Sequence, residues 1–502
     1  MSSGNHLYTT YKTISQKAAD IYYASAVLGW DQETYMPPKG AEARGRQLAT
    51  LASQAHELLT SDSYGKLLAD LSKMEGLDDT EKNNVRLSAE DYERNKKLSP
   101  EFVEELSKQT SECFNAWIAA RKQNDYSVFA PSLAKMIALK RKQADLYGFK
   151  AHPYDALLDE YEKGATVAML DPLFEGIKQQ LPILLNKIKA VQQVSNDCFH
   201  RNYPKQQQWD FSIDVLKRMG FDFEAGRQDY SEHPFTTSFA PDDVRITTRV
   251  SEDNFASMLW SCIHEGGHGL YEQGLPAEHY GLPLGAAASL GIHESQSRFW
   301  ENCIGRGMGF WKYFYPQLQQ YFPKQLADIK AEDIFKASNR VEPSLIRTEA
   351  DELTYHFHVM IRYEIEKALI EGSLDPAGIP AKWSELYKHY LGIKPTDDKT
   401  GALQDVHWSH GSFGYFPTYT LGSFYAAQFF HQVQKDIMGL QQQIENGEFS
   451  AMLNWLREKV HRHGRRYTSE ELCAQITGKK LDPEEFFEYA RQKYKVVYGI
   501  DA

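Results

Sequence analysis

The sequence predicts a large, nearly all-helical fold with one small β-hairpin. Leu, Ile, Val and aromatic residues recur at three- and four-residue steps over most of the 502 positions. Helix starts are spelled out, as in Ser99-Pro100-Glu101 and Leu481-Asp482-Pro483, each with a capping residue before a Pro. Only the stretch 233–250 is rich in Thr and β-branched residues around a turn. No internal repeat, low-complexity segment or Gly/Ser linker divides the chain. Residues 1–502 therefore read as one domain, with two helical lobes around a cleft.

Taken in order, residues 6–29 form a helix with Tyr8, Tyr11, Ile14, Ala18, Ile21, Val27 and Leu28 on one side. The Trp30–Pro38 stretch breaks it, since paired Pro cannot continue a helix. Helical patterns resume over 40–59, 62–75 and 79–96. Ser99 opens a long helix to about Lys122, and another runs from Pro131 to Tyr147. The stretch 166–197 is strongly helical. After Gly220 the character changes: His233–Phe239 and Val244–Val250 read as strands, with Ala240-Pro241-Asp242-Asp243 between them. A helix within 251–274 follows, then a loop rich in Gly, Pro and Ala to Gly291. Phe299, Trp300, Cys303 and Ile304 mark a second apolar-periodic stretch. Ile346–Asp351 opens a long helix to about Gly372, Gly401–Tyr419 is loop-like, and helices resume to the C-terminus.

Apolar residues make up 42% and charged residues 25%, as in a soluble globular protein. The net charge of -12 is spread along the chain without a basic stripe, which argues against nucleic acid as a partner. The five Cys lie at 113, 198, 262, 303 and 473. An odd, scattered set points to free thiols in a cytoplasmic compartment rather than to a disulfide framework. The polar N-terminus suggests no signal peptide, and no run of ~18 apolar residues suggests a membrane span.

Chemistry concentrates at His264-Glu265-Gly266-Gly267-His268. Two His four apart on a helix leave the same face one turn apart and suit a shared Zn²⁺. Glu265 stands beside them, where a general base belongs. Gly266 and Gly267 each cost roughly 0.8–1 kcal/mol against Ala inside a helix. Close approach of a substrate strand or packing against a neighbouring helix would each explain them. Metal binding needs a third ligand. Glu294, in His293-Glu294-Ser295-Gln296, is the expected one, since two His and a carboxylate leave a position for water, as catalytic zinc sites do. Glu301 competes, but a surface ion pair with Arg298 accounts for it. The hairpin directly before the His264 helix either offers its free edge to an extended peptide or covers a helix end.

Together these stretches resemble the carboxypeptidase Taq family of metallocarboxypeptidases. His233-Pro234-Phe235, Asp243-x-Arg245-x-Thr247, His264 to His268, His293 to Gln296, Ile346-Arg347-x-x-Ala350-Asp351 and Gly401-x-x-Gln404-Asp405-x-His407-Trp408 occur in the family's order. These motifs concentrate in 230–420, and Trp30–Pro38 extends the likeness to the N-terminus. The resemblance implies a saddle-like helical fold with a deep cleft and a small sheet. It also implies release of single C-terminal residues with broad tolerance, one Zn²⁺ or Co²⁺ per subunit, and a homodimer. His264, His268 and Glu294 are then the ligands and Glu265 the base. Arg347 is the expected clamp for the terminal carboxylate, because a guanidinium matches that group in shape. A pair with Asp351 four residues on is the structural alternative, and Arg245 is the second choice of clamp. His407, His410, Tyr415 and Tyr419 are candidate donors to the oxyanion, and His233 is a further candidate near substrate. An oligopeptidase-type endopeptidase and a non-catalytic helical scaffold are the competing readings.

Overall fold

A computed structural model describes residues 3–501: helices throughout and one three-stranded sheet. The chain forms two compact units. The first comprises Met1–Lys96, Ser195–Ser338 and Tyr425–Leu481; the second comprises Lys97–Val194, Asn339–Phe424 and Asp482–Ala502. The five Cys are buried, and none is joined in a disulfide. Among the described residues no helix is long and apolar enough to cross a membrane.

In the first unit, the opening helix spans Ser3–Thr34 and packs against Ala41–Thr60. It runs through Trp30, which is buried, and stops only before the Pro37-Pro38 pair. The predicted break at Trp30 thus falls several residues later, where ring geometry forbids another turn. Tyr11, Tyr64, Leu68, Leu71 and Val85 form a buried cluster beneath this hairpin.

The predicted hairpin is present as β2 (Thr236–Ala240) and β3 (Asp243–Thr248), joined antiparallel. The sequence pattern missed β1, Gly226–Tyr230, which pairs parallel with β3 and makes β3 the central strand. Its Gly-Arg-Gln-Asp-Tyr sequence has no β-branched residue. Side-chain hydrogen bonds and the pairing with β3 hold the strand instead. Buried Gln228 donates to Ser212 Oγ at 3.1 Å, and buried Asp229 accepts from Arg227 and Tyr35.

In the second unit, Ser99 caps Pro100–Gln123 as predicted, accepting from the Phe102 amide at 3.3 Å. Val167–Lys189 contains Pro172 and Pro182 and ends short of residue 197. The long helix expected from Ile346 starts later, at Tyr355. Arg347–Glu349 is a single 3₁₀ turn. The reason lies in Asp351, whose carboxylate accepts the amides of Leu353 and Thr354, each at 2.9 Å, and so fixes the turn that leads into the helix. Asp351 is therefore committed to backbone, and the proposed pair with Arg347 does not form. The loop-like segment also ends early, because Pro417 to Tyr419 already belong to the helix Pro417–Asp436.

Candidate metal centre

The His264 helix spans Phe255–Glu272 and is capped by Asn254, which accepts from the Ser257 amide at 3.3 Å. Phe255, Met258, Leu259, Cys262 and Ile263 form its buried stripe. The two glycines are explained by helix packing. A Cβ on Gly267 would lie 2.7 Å from Ser297 Cα and 2.8 Å from the Gln296 carbonyl oxygen, so backbone of the next helix presses on it. A Cβ on Gly266 would lie 2.4 Å from a methyl of Leu216. Gly267→Ala is expected to push the two ligand-bearing helices apart, because backbone cannot rotate out of the way as a side chain can. The check is thermal unfolding of the metal-free protein together with metal content. A Tm within a degree of wild type at full metal content would refute this account of Gly267.

The second helix, Leu290–Arg298, is capped by Ser289 and continues as a π-helical segment, Phe299–Gly305. It brings Glu294 to the two imidazoles. Glu294 Oε2 lies 3.6 Å from His264 Nε2 and 3.5 Å from His268 Nε2, and one ligand atom from each residue falls within 4.8 Å of the others. Donors at about 2.0–2.2 Å from a tetrahedral ion sit roughly 3.4 Å from one another. The observed edges fit that spacing, and two ring nitrogens with one carboxylate oxygen are the donor set of catalytic zinc. Burial favours protonation of Glu294, but Arg298 and His264 outweigh it and hold the carboxyl well below its usual range. Burial pushes the His268 pKa down to about 3, which keeps a lone pair available.

Glu265 is buried beside His264, and Thr236 Oγ1 on β2 donates to its Oε2 at 2.6 Å. Burial raises its carboxyl pKa above the ordinary glutamate value. Glu301 does pair with Arg298, at 3.2 Å, but not on the surface: it is 5% exposed. It also meets His264 Nδ1 at 2.9 Å and Arg306 at 2.8 Å. Glu301 thus holds the His264 ring from behind, as the outer partners of metal-bound His residues do. Neither Glu301 in this role nor Arg306 was predicted. The π-helical turn that brings them together leaves no residue-type signature.

The remaining first-unit motifs lace the sheet. Thr247 Oγ1 accepts from the Phe235 amide at 2.9 Å, which ties the His233-Pro234-Phe235 stretch to β3. His233 itself is exposed, and its carbonyl accepts from Ser231 Oγ at 2.7 Å. Arg245 forks onto Asp243 at 3.0 and 3.1 Å and stacks over Trp30, 4.4 Å from the ring centre.

In the second unit, Arg347 is buried. Its Nε donates to Asp405 at 2.9 Å and its Nη1 to the Tyr355 hydroxyl at 3.1 Å. Arg362, fully buried and not anticipated, holds the other Asp405 oxygen at 2.6 Å. Gln404 accepts from the Arg347 amide at 3.0 Å and from Arg362 at 2.8 Å. His407 Nε2 and the Tyr419 hydroxyl are 3.1 Å apart, and the Arg347 guanidinium lies 4.9 Å from the Tyr419 ring. Burial, reinforced by Arg347, pushes the His407 pKa down to about 3, so the ring is neutral. Tyr415 joins this group, 5.3 Å from the His407 ring and 5.2 Å from Tyr419. His410 is exposed and faces Phe114, at 4.9 Å between rings. Glu366 anchors the segment from beneath, accepting from Trp408 at 2.7 Å and from the Gly414 amide at 2.8 Å.

A helical fold that brings two histidines and a glutamate together, with a further carboxylate alongside, has the donor arrangement of a metallopeptidase. The comparisons with known proteins narrow this. Residues 10–494 match the carboxypeptidase Taq (M32) metallopeptidases, and the chain belongs to that family of metallocarboxypeptidases. It is 42% identical to thermostable carboxypeptidase 1 of Thermus thermophilus, over 95% of this chain and 96% of that one. The crystal structure of an M32 carboxypeptidase from Deinococcus radiodurans superposes with a TM-score of 0.96 at 38% identity, covering 99% of this chain and 100% of that one. Metallocarboxypeptidase 1 of Trypanosoma cruzi superposes at 0.93 and 35% identity, covering 98% and 99%.

Proposed function

We propose that this protein removes single residues from the free C-termini of peptides with broad side-chain tolerance, using His264, His268 and Glu294 to hold one Zn²⁺ or Co²⁺. The convergence of those three ligand atoms beside a buried Glu265 is the observation that carries the reading. When bound, such an ion polarises the scissile carbonyl and makes water acidic enough to attack near neutral pH. Glu265 then accepts the water's proton at its carboxylate and returns it to the departing amine. Burial suits it to that task by raising its proton affinity, while Thr236 fixes its orientation. His407 and Tyr419 are the proposed donors to the oxyanion, with Tyr415 in support. The chain is proposed to work as a homodimer, which light scattering in solution would test.

Arg347 is assigned the terminal carboxylate. Asp405 takes the Nε hydrogen and the Tyr355 hydroxyl one of the two on Nη1, which leaves one hydrogen on Nη1 and both on Nη2 to meet the carboxylate. Arg347→Ala is expected to abolish discrimination between a peptide with a free C-terminus and its amide. The readout is the ratio of the two kcat/KM values, and a preserved ratio would exclude Arg347 from this role. For the function as a whole, the test is a time course of products from one mixed peptide. Stepwise shortening from the C-terminal end is expected, and it should cease with a chelator. Rapid cleavage of peptides blocked at both ends would favour the oligopeptidase reading instead.

A further inference from the structure

Glu294 is the ligand of the His293–Gln296 motif, but its neighbour His293 has an environment that packing alone does not require. His293 Nδ1 lies 2.6 Å from His268 Nδ1, and His293 Nε2 lies 2.7 Å from Glu272 Oε1. Ser238 on β2 donates to the other Glu272 oxygen at 2.6 Å. Glu272 sits one turn after His268 on the same helix, yet its carboxylate does not meet that ring directly. An imidazole from the second helix stands between them.

The direction of this chain follows from valence. Two ring nitrogens 2.6 Å apart must share one proton. His268 points Nε2 at Glu294, so Nε2 is the atom that offers its lone pair to an ion. A neutral His268 then carries its proton on Nδ1 and donates it to His293 Nδ1. His293, having accepted there, carries its own proton on Nε2 and donates it to Glu272. Every link is satisfied in one arrangement only. His264 differs, since its Nδ1 meets the Glu301 carboxylate without an intermediary.

We propose that His293 is a positioning residue for the reaction: it locks the His268 ring in the tautomer and orientation that bind the ion, and passes to it the orientation and charge of Glu272. This rests on the metal-centre reading above. Outer partners of this kind contribute about ten- to a hundred-fold in metal affinity.

The test measures Zn²⁺ affinity by chelator competition in four full-length variants, with thermal unfolding of each metal-free form. His293→Phe keeps a ring but has no acceptor, and is expected to lose about ten- to a hundred-fold in affinity. His293→Asn keeps an acceptor beside His268 and is expected to recover part of that loss, which a purely space-filling role would not allow. Glu272→Gln removes the charge and should show a smaller loss. The fourth variant, His264→Ala with His268→Ala, is expected not to bind. If it binds as wild type does, the metal-centre reading itself fails. If it does not bind but His293→Phe stays within twofold of wild type, only the present proposal is overturned. Should His293→Phe fail to fold, ¹⁵N NMR of the Zn²⁺-loaded wild type decides. The expected result is His268 protonated at Nδ1 and His293 at Nε2, and any other pairing of tautomers overturns the proposal.

Discussion

Glu265→Gln is expected to lower kcat by about 10²–10⁴-fold, the range a positioned acid–base group contributes, with metal content unchanged. The substitution keeps the side chain's size, and its amide oxygen still accepts the Thr236 hydroxyl that now reaches Oε2. What it removes is the capacity to take a proton. Glu265 bonds to none of His264, His268 and Glu294, so affinity for the ion should hold. The measurement is kcat on a free-acid peptide beside metal per chain by mass spectrometry. Near-normal turnover at full loading would take the base role away from Glu265.

Glu294→Ala should act through the opposite channel. It deletes one of three donors and unbalances the charges around the centre, since Arg298 now holds Glu294 Oε1 at 2.7 Å. Without that carboxylate a cation remains 14% exposed beside the two imidazoles, with Glu301 as its surviving partner. Both effects oppose a divalent cation. The affinity loss should exceed the roughly hundred-fold upper bound for an outer partner. Dialysis against a chelator followed by metal analysis measures it, and retained metal would transfer the third-ligand role to another residue. Comparison with Glu265→Gln separates the two functions: one variant loads and does not turn over, the other does not load.

Much of this was legible from residue types and spacing. The two His and Glu265 announce themselves because helix geometry alone aligns positions four apart. Glu294 could be nominated because its motif opens a second periodic stretch. The hairpin was legible from its Thr and β-branched residues, whereas β1 was not, since Gln228 and Asp229 are held by Ser212 and Tyr35, which lie outside the strand. Arg347 was recognised, but its surroundings were not. Sequence spacing offered Asp351, while the structure gives it Asp405, and Asp351 serves three amides instead. Local spacing describes what an extended helix would bring together, and here residues 346–354 hold only a single 3₁₀ turn and no α-helix. The glycine pair is the converse case. Its cost was visible at once, and its reason, the backbone of Ser297, became visible only in three dimensions.

The π-helical segment Phe299–Gly305 bears on how much the chain's length can vary there. In a regular helix a residue five positions on lies about 140° around the axis from its starting point. The wider turn instead closes between Glu301 and Arg306, whose amide meets the Glu301 carbonyl at 2.9 Å and whose guanidinium reaches the same residue's carboxylate. Deleting a single residue between them would restore ordinary pitch and leave Arg306 four positions on, about 40° from Glu301 and still a neighbour, whereas inserting one at ordinary pitch would carry it about 240° round the cylinder. After such an insertion Glu301 would lose one of its two cations, and His264 would lose the rigidity of its backstop, with no ligand altered. Insertions between 302 and 305 should therefore be less tolerated than single deletions there.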